Sequence, residues 1–102
     1  MPTDPFLRLT VEDVFEIKGR GTVITGRIDQ GALQVGDEVL LQGPSGARRT
    51  TVRGIEMFRK TLDRAETGDQ VGVLLQGVGK ADVRRGDVIT AAESIPSLKF
   101  NP

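Results

Sequence analysis

The chain contains no cysteine and no histidine among its 102 residues. Without thiols, disulfides and thiolate metal sites are excluded, and a reducing compartment is compatible. Without imidazole, the commonest general base and metal ligand are both missing, so catalysis would fall to carboxylates, lysine or hydroxyls. Tyrosine and tryptophan are also absent, and only four phenylalanines remain. Any recognition of nucleic-acid bases would therefore use an aliphatic wall or an arginine plane. Net charge is lacking too, with fourteen basic residues against fourteen acidic ones, so recognition by charge has to be local. No apolar run approaches the ~20 residues that span a bilayer, and Met1-Pro2-Thr3-Asp4 has neither a basic n-region nor an apolar h-region. The expectation is a soluble, unexported, cytoplasmic protein with no membrane partner. No Gly-x-x-x-x-Gly-Lys-Ser/Thr loop occurs, and Gly19-Arg20-Gly21-Thr22-Val23-Ile24 lacks the third glycine of a dinucleotide fingerprint. The chain is expected to be no enzyme, with no metal site or cofactor of its own.

What the chain does have is thirteen glycines, short valine-rich runs and regular turn signals. These predict an all-β fold, a small closed antiparallel β-barrel, as one domain over residues 1–102. Strands are expected at Leu9 to Ile17, Thr22 to Asp29, Glu38 to Gln42, Arg49 to Phe58, Gln70 to Gln76 and Asp87 to Thr90, with a return segment near Ser97 to Phe100. Gly36-Asp37, Gly68-Asp69 and Gly86-Asp87 each place a glycine and a turn-forming aspartate before an apolar strand. In the fourth strand Thr50 and Val52 share one phase and Ile55 and Met57 the other, so a β-bulge is expected at Gly54. Val71, Val73 and Leu75 alternate with Gly72 and Leu74, which predicts a central strand with Leu74 as an outward apolar wall. Lys80 to Arg85 reads as one helical turn, and Thr61 to Ala65 as weakly helical. Gln42 to Ala47 reads as an exposed connection, and the proline-bearing polar ends suggest excision from a longer polypeptide.

Three features carry possible chemistry. Lys18-Gly19-Arg20-Gly21 joins two strands and leaves Arg20 exposed between glycines, either as a plain hairpin tip or as a contact point. Glu12, Asp13 and Glu16 form a carboxylate cluster in sequence, but strand alternation is expected to send Glu12 and Asp13 to opposite faces. The stretch from Arg48 to Arg64 holds six basic residues against Glu56 and Asp63, which reads either as a solvated face or as a nucleic-acid contact.

In combination, Glu12-Asp13-Val14-Phe15, Gly19-Arg20-Gly21-Thr22-Val23-Ile24-Thr25-Gly26-Arg27, Val35-Gly36-Asp37-Glu38-Val39, Gly54-Ile55-Glu56-Met57-Phe58-Arg59-Lys60 and Val71-Gly72-Val73-Leu74-Leu75 resemble the second domain of bacterial-type elongation factor Tu. The likeness runs from about Pro5 to Phe100. Its glycine-arginine-glycine turn is shared across translation GTPases, whereas Glu56 to Lys60 is more specific to Tu.

The resemblance implies a barrel of the translation-factor domain 2 type, Greek-key-like, that helps hold the aminoacylated 3′ end of tRNA. Glu12, Ile17, Gly19 and Leu74 would surround the terminal adenine, and Glu56 would lie near the terminal ribose. Arg59 would meet the terminal phosphate, Thr25 and Gln70 would line the space for the esterified amino acid, and Gly19, Arg20 and Gly21 would form a ribosome-facing loop. The implied partners are aminoacyl-tRNA, the ribosome, and the GTPase and third domains of a parent factor, whose GTPase domain would hold GTP and Mg2+. The other reading is a structural docking barrel between domains that touches no RNA; an independent small-ligand barrel is the remote third. Departures from the pattern are Gln70 for asparagine, Gln76 for an arginine after the two leucines, Lys18 for a small polar residue, Ala91-Ala92 for lysine-proline, Leu98 for histidine or threonine, and one extra residue near Arg8 to Val11.

Overall fold

The computed structural model describes residues 4–92; the return segment expected at Ser97 to Phe100, with Leu98, lies outside them. Alternating apolar residues drive the strands, as period two requires. In β1 (Arg8–Ile17) Leu9 and Val11 point inward, in β2 (Gly21–Gln30) Ile24 and Ile28, in β4 (Glu38–Gly43) Val39 and Leu41. In β5 (Gly46–Met57) Val52 and Ile55 are buried, in β8 (Gln70–Leu75) Val71, Val73 and Leu75, and in β9 (Val88–Ala91) Ile89 and Ala91. These side chains form one core, in which each fully buried Val, Leu or Ile contributes roughly 1.5–3 kcal/mol.

Every pairing is antiparallel, and the ring runs β1-β2-β8-β5-β4-β9 and back to β1. The expected closed barrel is therefore present, with six strands in its wall. β6 (Lys60–Leu62) folds back on β5, and β3 (Ala32–Gln34) pairs with β7 (Arg64–Glu66) as a separate ribbon. A 3-10 turn at Lys80–Asp82 occupies the first half of the segment expected to make a helical turn.

The three glycine-aspartate turns are one device used three times. In each, the aspartate Oδ2 accepts the backbone N–H three residues back at 2.9 Å: Gln34 to Asp37, Glu66 to Asp69, Arg84 to Asp87. Each glycine has φ between 95 and 98°, a region that side chains disfavour. Each turn then clasps one residue of a neighbouring strand by both backbone groups: Val52 by Gly36 and Asp37, Ile28 by Gly68 and Asp69, Val11 by Gly86 and Asp87. With that residue's N–H and C=O taken by the turn, the ladder slips beside it. The three register shifts of the barrel fall there, leaving Glu12, Asp29 and Arg53 as the extra residues.

The bulge expected at Gly54 is thus real, with Arg53 as the inserted residue. The bulge at Glu12 corrects the expectation for the carboxylates: alternation breaks there, and Glu12 and Asp13 are both exposed. Thr61 to Ala65 is not helix but spans parts of two short strands, β6 and β7, with a bend at Asp63, because Glu56 and Met57 pair with Thr61 and Lys60, and Ala65 pairs with Leu33 and is buried. Partner strands override weak local propensity. β5 ends at Met57, one residue before the expected limit, since Phe58 and Arg59 turn the chain.

Candidate nucleic-acid interface

β8 is central, flanked by β2 and β5, and the outward residues of these strands align in rows. Phe15, Val23, Leu74 and Gly54 make one row; Asp13, Thr25, Gly72 and Glu56 make the next. Glycines at 72 and 54 leave a furrow. A Cβ built on Gly72 would lie 3.5 Å from Val23 and 4.0 Å from both Thr25 and the Glu56 carbonyl oxygen, and one on Gly54 would lie 3.7 Å from Leu74. Leu74 and Val23 are half-buried, while Phe15 and Ile17 keep 48% and 39% of their surface exposed. The outer wall thus carries an exposed apolar strip with glycines between its larger side chains.

Polar groups rim this strip. At one end, the bulge puts Glu12 within reach of Gln70, whose Nε2 donates to Glu12 Oε1 at 2.7 Å across β2. Arg85 Nε donates to the Glu12 carbonyl at 3.0 Å and its guanidinium lies 3.6 Å from Asp13. At the other end, the β1-β2 hairpin closes through the Arg20 N–H to the Ile17 carbonyl at 2.9 Å, with Gly19 at φ 83° and Gly21 at φ 124°. Its Arg20 reaches Glu56 Oε2 at 3.2 Å, both side chains half exposed. Such a pair contributes at most about 1 kcal/mol, and it links the hairpin tip to β5.

Of the residues expected in a tRNA-end site, Ile17, Gly19, Thr25, Glu56 and Leu74 lie along this strip or at its hairpin end. Glu12 and Gln70 form the other rim. Arg59 stands apart, in the two-residue turn between β5 and β6. Arg20, assigned by resemblance to a separate loop, is joined to Glu56 of the strip.

Sequence reasoning missed two features. Phe15 and Val23 belong to the apolar row, and the signal was their strand phase opposite Leu74. Phe58 is 85% exposed with φ 51°, followed by Arg59 at φ 68°. Two positive φ values in a row are the condition of a type I′ turn, normally met by Asn or Gly, so these side chains are held in an unfavourable backbone. A second recess, lined by Arg8, Gln42, Arg84, Asp87 and Thr90, sits on the far wall and contains none of the expected site residues.

In a comparison with known families, residues 21–90 match elongation factor Tu domain 2. That span runs from the first residue of β2 into β9 and covers more than half of the chain. The protein therefore belongs to the elongation factor Tu domain 2 family.

Proposed function

We propose that this barrel is a non-catalytic, RNA-contacting module of a Tu-like elongation factor and helps bind the aminoacylated 3′ end of tRNA. The observation that carries the reading is the exposed apolar strip over a glycine floor, bordered by hydrogen-bonding groups. A purine ring lies flat against aliphatic side chains such as Ile17 and Leu74 when no aromatic platform is available. Gly72 lets a backbone or sugar approach, and the Glu12–Gln70 pair offers donors and acceptors beside Thr25 for the esterified amino acid. Arg59 presents a planar fork suited to a phosphate. The parent's GTPase domain would supply GTP, Mg2+ and all of the hydrolytic chemistry. The barrel's own part is to position the RNA end beside the ribosome and the neighbouring domains.

In the factor that carries this barrel, Leu74→Asp is expected to weaken aminoacyl-tRNA binding by ten- to a hundredfold, about 1.4–2.8 kcal/mol. Arg59→Ala should weaken it less, and guanine-nucleotide affinity should stay unchanged in both. Unchanged tRNA affinity combined with weakened association of the domains would replace this reading with that of a docking barrel.

A further inference from the structure

We infer that Arg53 forms, with Arg20, a second anion-binding cleft beside the strip, and that its ligand is an RNA phosphodiester. The three residues extruded at the three bulges differ in one respect. Asp29 accepts a hydrogen bond from the Thr10 hydroxyl at 2.9 Å, and Glu12 accepts one from Gln70. Among the described residues, Arg53 has no hydrogen-bond or ion-pair partner for its side chain. Bulges re-aim side chains next to sites, and this one aims a free guanidinium into an open cleft.

That cleft, of about 420 Å³, is lined by Arg20, Gly21, Arg53, Leu74, Gln76 and Gly77 among others, and no lining residue is acidic. Arg20 is already bound to Glu56. Arg48, nearby, is committed to the Gly77 carbonyl at 2.9 Å and to Asp82 at 3.4 Å. Arg53 is therefore the uncompensated cation of the cleft, and its fork matches two oxygens of a phosphate.

Its cleft also contains one of the departures from the family pattern. Gln76 stands where the resemblance leads one to expect arginine. The backbone of Gln76 is clamped to β5 just before the bulge: its N–H donates to the Thr51 carbonyl at 3.0 Å, and its carbonyl accepts from the Thr50 hydroxyl at 2.6 Å. Residues 53 and 76 thus line one cleft, Arg53 from β5 and Gln76 from the turn directly after β8, and Arg53 supplies there a positive charge that Gln76 does not. Leu74 lines both the strip and the cleft, which makes the two continuous. This continuity favours a phosphodiester over an acidic peptide, and it rests on the RNA-contacting reading proposed above.

The test uses the 102-residue chain titrated with oligouridylate, whose bases stack weakly, followed by amide NMR shifts and by affinity as a function of salt. Shifts are expected at Gly21 and Gly77. Arg53→Gln should weaken binding about three- to tenfold and reduce the slope of log K against log salt by about 0.7, the loss of one phosphate on a single strand. Arg53→Gln combined with Gln76→Arg should restore both. An unchanged salt slope in Arg53→Gln, or no rescue from position 76, overturns the inference. So would polyglutamate binding with the same dependence on Arg53, or inorganic phosphate matching oligouridylate at equal phosphate concentration. Gly72→Ala, in the floor of the strip and outside the cleft, separates the two claims: if it weakens aminoacyl-tRNA binding while Arg53→Gln changes nothing, the cleft alone is wrong. If Arg53→Gln acts and Gly72→Ala does not, the strip is wrong.

Discussion

β8 and β9 stand opposite each other in the ring of six strands, pack the same core with Val73 and Ile89, and turn very different faces outward. Around β9 the outward face carries polar pairs: Gln42 Nε2 donates to the Thr90 hydroxyl at 2.8 Å, Arg49 pairs with Glu38, and Thr10 bonds Asp29. Around β8 the outward residues are Gly72, Leu74, Val23 and Thr25, with apolar surface exposed and a furrow where side chains are missing. A shared core explains why both strands exist but not why their outer faces differ. The β9 wall and its recess are lined mainly by polar and charged groups, whereas the β8 wall exposes an apolar strip.

Four substitutions test this contrast, from the largest expected effect to the smallest. Gly26 and Gly72 are both wall glycines, yet a Cβ on Gly26 would overlap the Thr10 carbonyl oxygen and press Leu9 Cδ2 at 2.9 Å. Gly26→Ala should therefore destabilise the barrel by about 2–4 kcal/mol, since backbone must move, as read from urea unfolding. Gly72→Ala meets only ordinary contacts, so stability should change by less than about 0.5 kcal/mol while RNA-end binding falls severalfold as the furrow fills. Equal destabilisation by both would mean that Gly72 serves packing rather than a ligand.

Phe58→Asn places a residue that tolerates positive φ at the β5-β6 turn, with little apolar burial to lose. A stability gain of about 0.5–1 kcal/mol is expected, together with weaker RNA binding if the ring contributes a contact; thermal unfolding and titration read the two separately. Gln42→Ala on the β9 wall removes one exposed hydrogen bond. It should cost less than about 0.5 kcal/mol and leave RNA binding unaltered.

How much of this was legible in the sequence depended on whether the cause was local. The three glycine-aspartate turns and the slip at Gly54 announce themselves within a few residues, and the structure has all four. The slip at Glu12 also left a trace, because Val11 and Val14 both turn toward the core although three residues apart. That spacing was not read as a bulge, since no glycine marks it. The β3-β7 ribbon was not legible, because its strands are three residues long and each is defined only by the other. The Phe58-Arg59 turn lacks the glycine or asparagine that identifies its type, so strand pattern alone extends to Phe58. In the candidate site, the outward phase of Leu74 follows from alternation, while the Arg20–Glu56 pair spans 36 residues and needs the barrel to bring it about. Arg53 was counted among basic residues, and only the bulge singles it out.

Contact with the RNA end is proposed for the outer wall of β2, β8 and β5 and not for the wall around β9. It is tested most directly by amide NMR mapping of the 102-residue chain titrated with a 3′-aminoacyl-adenosine analogue. The account predicts shifts at Ile17, Gly19, Thr25, Glu56, Gly72 and Leu74, with Leu40, Gln42 and Thr90 unmoved. Shifts centred on the β9 wall, or none on the β8 wall at saturating analogue, would contradict it.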